Sequence, residues 1–262
     1  MNHINAPDGT PLVYDAYEPA HPAVAVLFLH DWHPEPPGLG GLGGLGGLGG
    51  LADRFAEIGA QLKDAGLAAY SLDQRGSGRS GGRRGHLSRF SQLLGDLQAL
   101  RRAVRRRHDV PQVLVGHGFG ALVVLRYLET QPGEPPAAGV IASPWLASRV
   151  RPAAWKRLAA RLADLWPTLP TGRGAGFMTA GARAELLWAQ RAIVADYQRI
   201  ERPLLFVLGG ADAVVDVEAA RRFAAGLASH ASVQWYPELA HDLLTAPAVR
   251  EDVARFIAGY RA

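Results

Sequence analysis

Apolar runs and amphipathic stretches alternate along this chain. VAVLFLH (24–30), LAAYSLD (67–73), PQVLVG (111–116), AAGVIAS (137–143), PLLFVLGG (203–210) and ASVQWYP (231–237) are short, mostly apolar runs. Runs of this length, without strict alternation, predict strands buried on both faces. TPLVYDAYEP (10–19) reads as an earlier strand after the Asp8-Gly9 turn signal. Between these runs lie segments with helical spacing: 51–66 closing at Gly66, 90–109, 121–131, 182–200, 217–229 and 249–260. Strands separated by helices predict an α/β fold with a mostly parallel central sheet flanked by helices. In such sheets ligands bind beyond the carboxyl ends of the strands.

Two segments break the alternation. GLGGLGGLGGLGGL (38–51) repeats every three residues but lacks the proline of collagen. Its glycines make ordering costly, so it reads as an insertion rather than as a phosphate loop. The second is 145–181, where WKRLAARLADLW (155–166) carries Trp155, Leu158, Leu162 and Leu165 on one helical face. This segment reads as a short helical cap between two parts of one core, 1–144 and 182–262. Trp145, Trp155, Trp166 and Trp188 lie in or beside it, either lining an apolar pocket or forming the cap's own core.

Composition narrows the function classes. The 262 residues suit one domain with an insertion. There is no cysteine, hence no disulfide, no thiolate nucleophile and no cysteine-based metal site. No basic segment followed by an apolar stretch opens the chain, and no apolar run approaches a membrane span. A cytoplasmic protein is the expectation. The net charge of +4 comes almost wholly from arginine, densest at Arg101, Arg102, Arg105 and Arg106. Beside the stripe Phe90, Leu93, Leu94, Leu97, Leu100 and Val104 these read as a solvated helix face. No nucleic-acid motif or aromatic platform accompanies them, so no nucleic-acid partner is expected.

Polar residues gather where the strand runs end. VLFLH leads into His30-Asp31-Trp32-His33, LAAYSLD into DQRGSGRSGGRRGH (73–86), and PQVLV into GHGFGA (116–121). PLLFVLGG leads into Asp212 and Asp216, and ASVQWYP into His241. GHGFGA has the strand–turn–helix context of a G-x-S-x-G nucleophile elbow, but Gly118 stands where that motif has serine. Elbow, then Asp, then His is the chain order of α/β-hydrolase triads.

Taken together, these stretches resemble the α/β-hydrolases of the monoacylglycerol lipase, lysophospholipase and serine aminopeptidase group. LDQRGSGRSGGRRGHLSRF (72–90) is similar to that group's most specific loop, GGADAVVD (209–216) to its acid loop and YPELAHDLL (236–244) to its histidine loop. The resemblance implies an α/β-hydrolase fold with a short cap, a bacterial origin and carboxylic-ester hydrolysis of monoacylglycerol or lysophospholipid type. It implies no cofactor and no metal. It makes Gly118 the nucleophile position, Asp212 the triad acid with Asp216 as rival, and His241 the base. It makes the backbone N–H groups of Trp32 and Phe119 the oxyanion hole. The partner implied is a small apolar or acyl-ester ligand.

The chain departs from that pattern at the reacting centre. Gly118 has no side chain, and glycine is the residue best suited to a strained elbow. The group's His-Gly pair is His30-Asp31 here. A carboxylate about 6 Å from a developing oxyanion would oppose it by roughly 3 kcal/mol at an effective dielectric of about 20. That is about a hundredfold in rate. Ser77, Ser80 and Ser143 lie off the elbow, and carboxylate attack by Asp31 would start from the wrong position. The expectation is a hydrolase scaffold with activity lost or very weak. The alternatives are an active hydrolase represented by an inactivating variant, and a ligand-binding or interaction module. G116-H-G118-F-G-A121 also satisfies a dinucleotide fingerprint, but the following strand ends without the acid such a site needs.

Overall fold

The computed structural model describes residues 2–32, 55–130, 134–149, 165–171, 177–227 and 229–261. Its strands are β1 (Asn2–Asn5), β2 (Pro11–Tyr17), β3 (Ala25–Leu29), β4 (Ala68–Asp73), β5 (Gln112–His117), β6 (Ala138–Ala142), β7 (Leu204–Gly209) and β8 (Ala231–Tyr236). They form one sheet in the order β1-β2-β4-β3-β5-β6-β7-β8. The β1–β2 and β2–β4 pairs are antiparallel, and every later pair is parallel. The expected α/β-hydrolase architecture, a mostly parallel sheet flanked by helices, is therefore present. β1 was not anticipated from the sequence. It is short, at the sheet edge, and only half-buried at alternate positions.

The helices are α1 (Ala56–Asp64), α2 (Ser91–Arg107), α3 (Phe119–Thr130), α4 (Ala180–Asp196), α5 (Val217–Gly226) and α6 (Pro247–Ala258). Alternation along each strand sorts the core into two layers. Ala25, Leu27 and Leu29 of β3 face a cluster with Leu97 of α2, Val124 of α3, Leu186 of α4 and Phe223 of α5. Val26 and Phe28 face the other, with Ile58 and Leu62 of α1 and Val249, Val253 and Ile257 of α6. Every residue of β3 is buried, as a strand covered on both faces requires. Local chemistry sets the helix starts. Thr179 and Asp216 accept hydrogen bonds from Ala182 N–H and Ala219 N–H, and Pro247 opens α6.

Helix α2 corrects one reading. Arg102, Arg105 and Arg106 are exposed, but Arg101 is buried. Its guanidinium donates to Gln112 Oε1 (2.8 Å), Tyr127 Oη (2.6 Å) and the Glu134 carbonyl (2.8 Å). It ties α2 to β5 and α3 instead of facing solvent. The glycine-rich stretch 38–51, residue His33 and the helix expected at 155–166, apart from its last two residues, lie outside the described residues. Of that last pair, Leu165 and Trp166 are both exposed.

Candidate active site

Parallel register brings the expected residues to one rim. Leu29 pairs with Gly116, so the residues after β3 and β5 leave the sheet side by side. Gly209 pairs with Tyr236, which places the turns after β7 and β8 next to each other. Asp31, Gly118, Asp212 and His241 all come from these turns.

Gly118 holds φ +54°, the left-handed conformation that favours glycine. Its N–H donates to the Ala142 carbonyl at 3.0 Å, and its carbonyl accepts from Trp145 N–H at 3.1 Å. Gly120 lies against the end of β3, where a Cβ would stand 2.2 Å from the Leu29 carbonyl oxygen. The elbow backbone is therefore built as its sequence pattern predicts, with α3 starting directly behind it.

The space beside Gly118 is filled. A Cβ at this position would lie 2.2 Å from both Cγ and Oδ1 of Asp31, and 2.7 Å from Oδ2. Asp31 Oδ1 accepts the Phe119 N–H at 2.6 Å, and Oδ2 pairs with His241 Nε2 at 3.0 Å. Asp31 is thus not a charge about 6 Å from the oxyanion position, as the sequence suggested. Its carboxylate bonds the Phe119 N–H directly and fills the space a Cβ at 118 would need.

His241 is held from both sides. Its Nδ1 pairs with Asp212 Oδ2 at 2.8 Å. Asp212 is fully buried, and its Oδ1 accepts from Val214 N–H (2.8 Å) and Val215 N–H (3.1 Å). Asp216 instead caps α5, so Asp212 is the carboxylate paired with His241. Burial opposes charge on His241, but hydrogen bonds to Asp212 and Asp31 outweigh it and push the imidazole up to about 10. Burial likewise opposes charge on Asp31, yet the bond to His241 and the neighbouring histidines hold its carboxyl well below the usual range. Asp212 is lowered as well, against burial, by the bond from His241.

The side chains of the other candidates take structural places. Trp32 donates its indole N–H to the Phe177 carbonyl at 3.0 Å and packs edge-on against Phe119. Ser80 accepts Val13 N–H and donates to the Asp73 carbonyl. Ser77 is buried in the same loop. Ser143 donates to the His241 carbonyl at 3.1 Å, so it faces the backbone of His241.

His117 is a residue the sequence reading passed over. It is buried, and its Nε2 donates to the His241 carbonyl at 2.9 Å. Burial pulls its imidazole below the ordinary value. A histidine inside the elbow was the available signal. Among the described residues, Asp31, His117 and His241 bring one metal-type donor atom each within 4.8 Å of one another. Two pockets meet at Asp31. One is lined by His30, Asp31, Phe55, His117 and Leu244 among others. The other includes Trp32, Leu87, Leu93 and Phe119.

Comparison with known proteins places this geometry. A family model described as "Serine aminopeptidase, S33" matches residues 44–178 and 173–248. A monoacylglycerol lipase of Mycolicibacterium smegmatis is 26% identical across 96% of this chain and 94% of the relative. The crystal structure of Paleococcus ferrophilus monoacylglycerol lipase has a TM-score of 0.76 at 20% identity, covering 95% of this chain and 99% of that one. A soluble variant of Saccharomyces cerevisiae monoglyceride lipase, in complex with a substrate analog, has a TM-score of 0.82 at 14% identity. That match covers 100% of this chain and 96% of that one. Likeness at these identities speaks for the fold.

Proposed function

The chain belongs to the serine aminopeptidase family of α/β-hydrolases, and from that premise we propose a hydrolase-fold protein whose serine route is closed by Asp31. Its pocket, on this reading, still receives a small neutral acyl ligand. The observation that carries the proposal is the Asp31 carboxylate, bridging Phe119 N–H and His241 Nε2 in the space a side chain at 118 would need. In this reading Asp212 and His241 are the acid and base of the lineage. Gly118 is the vacated nucleophile position, and Trp32 and Phe119 are the oxyanion donors. The segment 145–181 is the cap.

Three obstacles oppose ester hydrolysis by this route, two of them set by Asp31. No hydroxyl stands on the elbow. A general base must be unprotonated to accept a proton. A base raised to about 10 is neutral in only about one molecule per thousand at pH 7. The oxyanion donor is also engaged by a permanent anion, so a developing oxyanion would have to displace it.

The same anion selects the ligand. The pockets on either side of Asp31 carry apolar walls from Phe55, Leu244, Leu87, Leu93 and Phe119. An ionised fatty acid would bring its carboxylate against that of Asp31, whereas a neutral ester such as a monoacylglycerol meets no such repulsion. The relative named monoacylglycerol lipase agrees with this class.

The test is hydrolysis of short-chain aryl esters and a monoacylglycerol, in the presence of chelator, by four proteins: unmodified, Asp31→Gly, Gly118→Ser and the double variant. The unmodified protein and both single variants are expected at background. Gly118→Ser alone fails because its Cβ meets the Asp31 carboxylate. The double variant regains space, hydroxyl, free base and oxyanion donor together. It is expected to exceed the others by at least about a hundredfold, the scale lost with one oxyanion donor alone. Turnover by the unmodified protein would refute the closed-route reading, and turnover by Gly118→Ser alone would refute the role given to Asp31.

A further inference from the structure

We propose that Asp31, His117 and His241 form a binding site for a divalent transition-metal cation of the zinc class. This goes beyond the function proposed above and does not rest on it, since the acyl pocket and the cation site can each exist without the other.

The donor set is two imidazoles and one carboxylate, whose donor atoms lie within 4.8 Å of one another. Imidazole nitrogen and carboxylate oxygen suit zinc, and two histidines with one acidic residue are enough for a site that keeps a fourth position open. His241 Nε2 and Asp31 Oδ2 stand 3.0 Å apart, near the roughly 3.3 Å that ligand atoms about 2.0 Å from a tetrahedral ion would have. The full spread of up to 4.8 Å exceeds the roughly 4.2 Å that two ligands on one ion can span, so binding draws the three side chains together.

Each ligand also has an outer partner of the kind that fixes metal ligands. Asp31 uses Oδ2 toward His241 while Oδ1 is held by Phe119 N–H. His241 uses Nε2 toward Asp31 while Nδ1 is held by the Asp212 carboxylate. His117 donates Nε2–H to the His241 carbonyl, which leaves its lone pair on Nδ1. Charge points the same way. Two carboxylates flank one imidazole ring, and a dication in place of the proton between Asp31 and His241 would balance both. The first pocket is lined by Asp31 and His117, giving an ion a path in and its open position a route to the surface.

The experiment is calorimetric titration of Zn²⁺ into untagged, chelator-treated full-length protein. One ion per chain is expected, with a dissociation constant in the micromolar range or below and a rise in Tm on saturation. Asp31→Asn keeps the shape and loses the ligand charge, and His241→Gln removes a ring nitrogen near the surface. Each is expected to weaken that site at least tenfold while unfolding cooperatively. Asp212→Asn, which alters only an outer partner, is expected to weaken it about 10–100-fold without removing it. If no saturable binding occurs up to 100 µM Zn²⁺ (a probe ceiling of about ten to a hundred times the expected constant), the site does not exist. Binding that is unchanged in both Asp31→Asn and His241→Gln would place the ion elsewhere and equally overturn the proposal. Should either variant fail to fold, the other decides.

Discussion

A side chain at position 118 and the carboxylate of Asp31 compete for one volume. The 2.2 Å separation between a Cβ at Gly118 and Asp31 Cγ or Oδ1 lies far inside van der Waals contact. As Asp31 is placed, its carboxylate and a side chain at 118 exclude each other. The charge at Asp31 also makes stability depend on pH. His241 is raised from 6.5 to about 10, so its paired imidazolium stabilises the fold fully below pH 6.5 and ceases to do so as pH climbs through about 10. Asp31 is depressed, so its contribution is present above its ordinary value of 3.8 and fades in acid. Thermal melts are expected to show Tm falling between pH 7 and 10, with a shallower fall in Asp31→Asn. An identical alkaline limb in both proteins would mean that Asp31 does not hold the proton on His241. Sequence disclosed that Asp31 replaces a glycine, but not where it points. That direction is set by an N–H at the start of α3 and a ring carried by the turn after β8, neither of which is near in sequence.

At the scale of elements, legibility follows the source of each signal. Helix α2 was readable because Leu93, Leu97, Leu100 and Val104 recur at helical spacing, and all four are buried. The burial of Arg101 was not readable, because its partners Gln112, Tyr127 and Glu134 come from three later segments. Replacing it by leucine leaves the buried Gln112 Oε1 short of a donor. An unmet buried polar group costs about 1–3 kcal/mol. Arg101→Leu is therefore expected to lose about 1–3 kcal/mol in urea denaturation, whereas the exposed neighbour Arg106→Leu should stay within about 0.5 kcal/mol. Equal effects at the two positions would contradict the tie between α2, β5 and α3. The turn at Gly118 was legible for the opposite reason. Its strand, its glycines and its helix are contiguous, so a local pattern carries the whole feature.

Over the whole molecule, strand runs separated by helices were enough to give the parallel sheet, and the chain order of Gly118, Asp212 and His241 was enough to place the candidate site on its rim. The sequence did not disclose β1, which is too short and too exposed to leave a periodic signature. The geometry that separates Asp212 from Asp216 also needed three dimensions, since both follow β7 but Asp212 pairs with His241 while Asp216 caps α5. The dinucleotide fingerprint at 116–121 loses its physical basis in the fold. A pyrophosphate would sit at the start of α3, and there the Phe119 N–H already bonds the Asp31 carboxylate.

In the proposed closed site a proton is held between Asp31 and His241. The measurement that addresses it most directly is an NMR titration of the imidazole of His241 in metal-free protein, assigned with His241→Gln and followed from pH 5 to 10.5 (about two pH units below neutrality and three to four above it, enough to cover an ordinary and a raised histidine). The account predicts a ring that stays protonated through neutrality and titrates near 10, and in Asp31→Asn titrates at a lower pH. A ring in the unmodified protein that loses its proton at an ordinary histidine pH would leave a free base at the elbow and contradict the closed site.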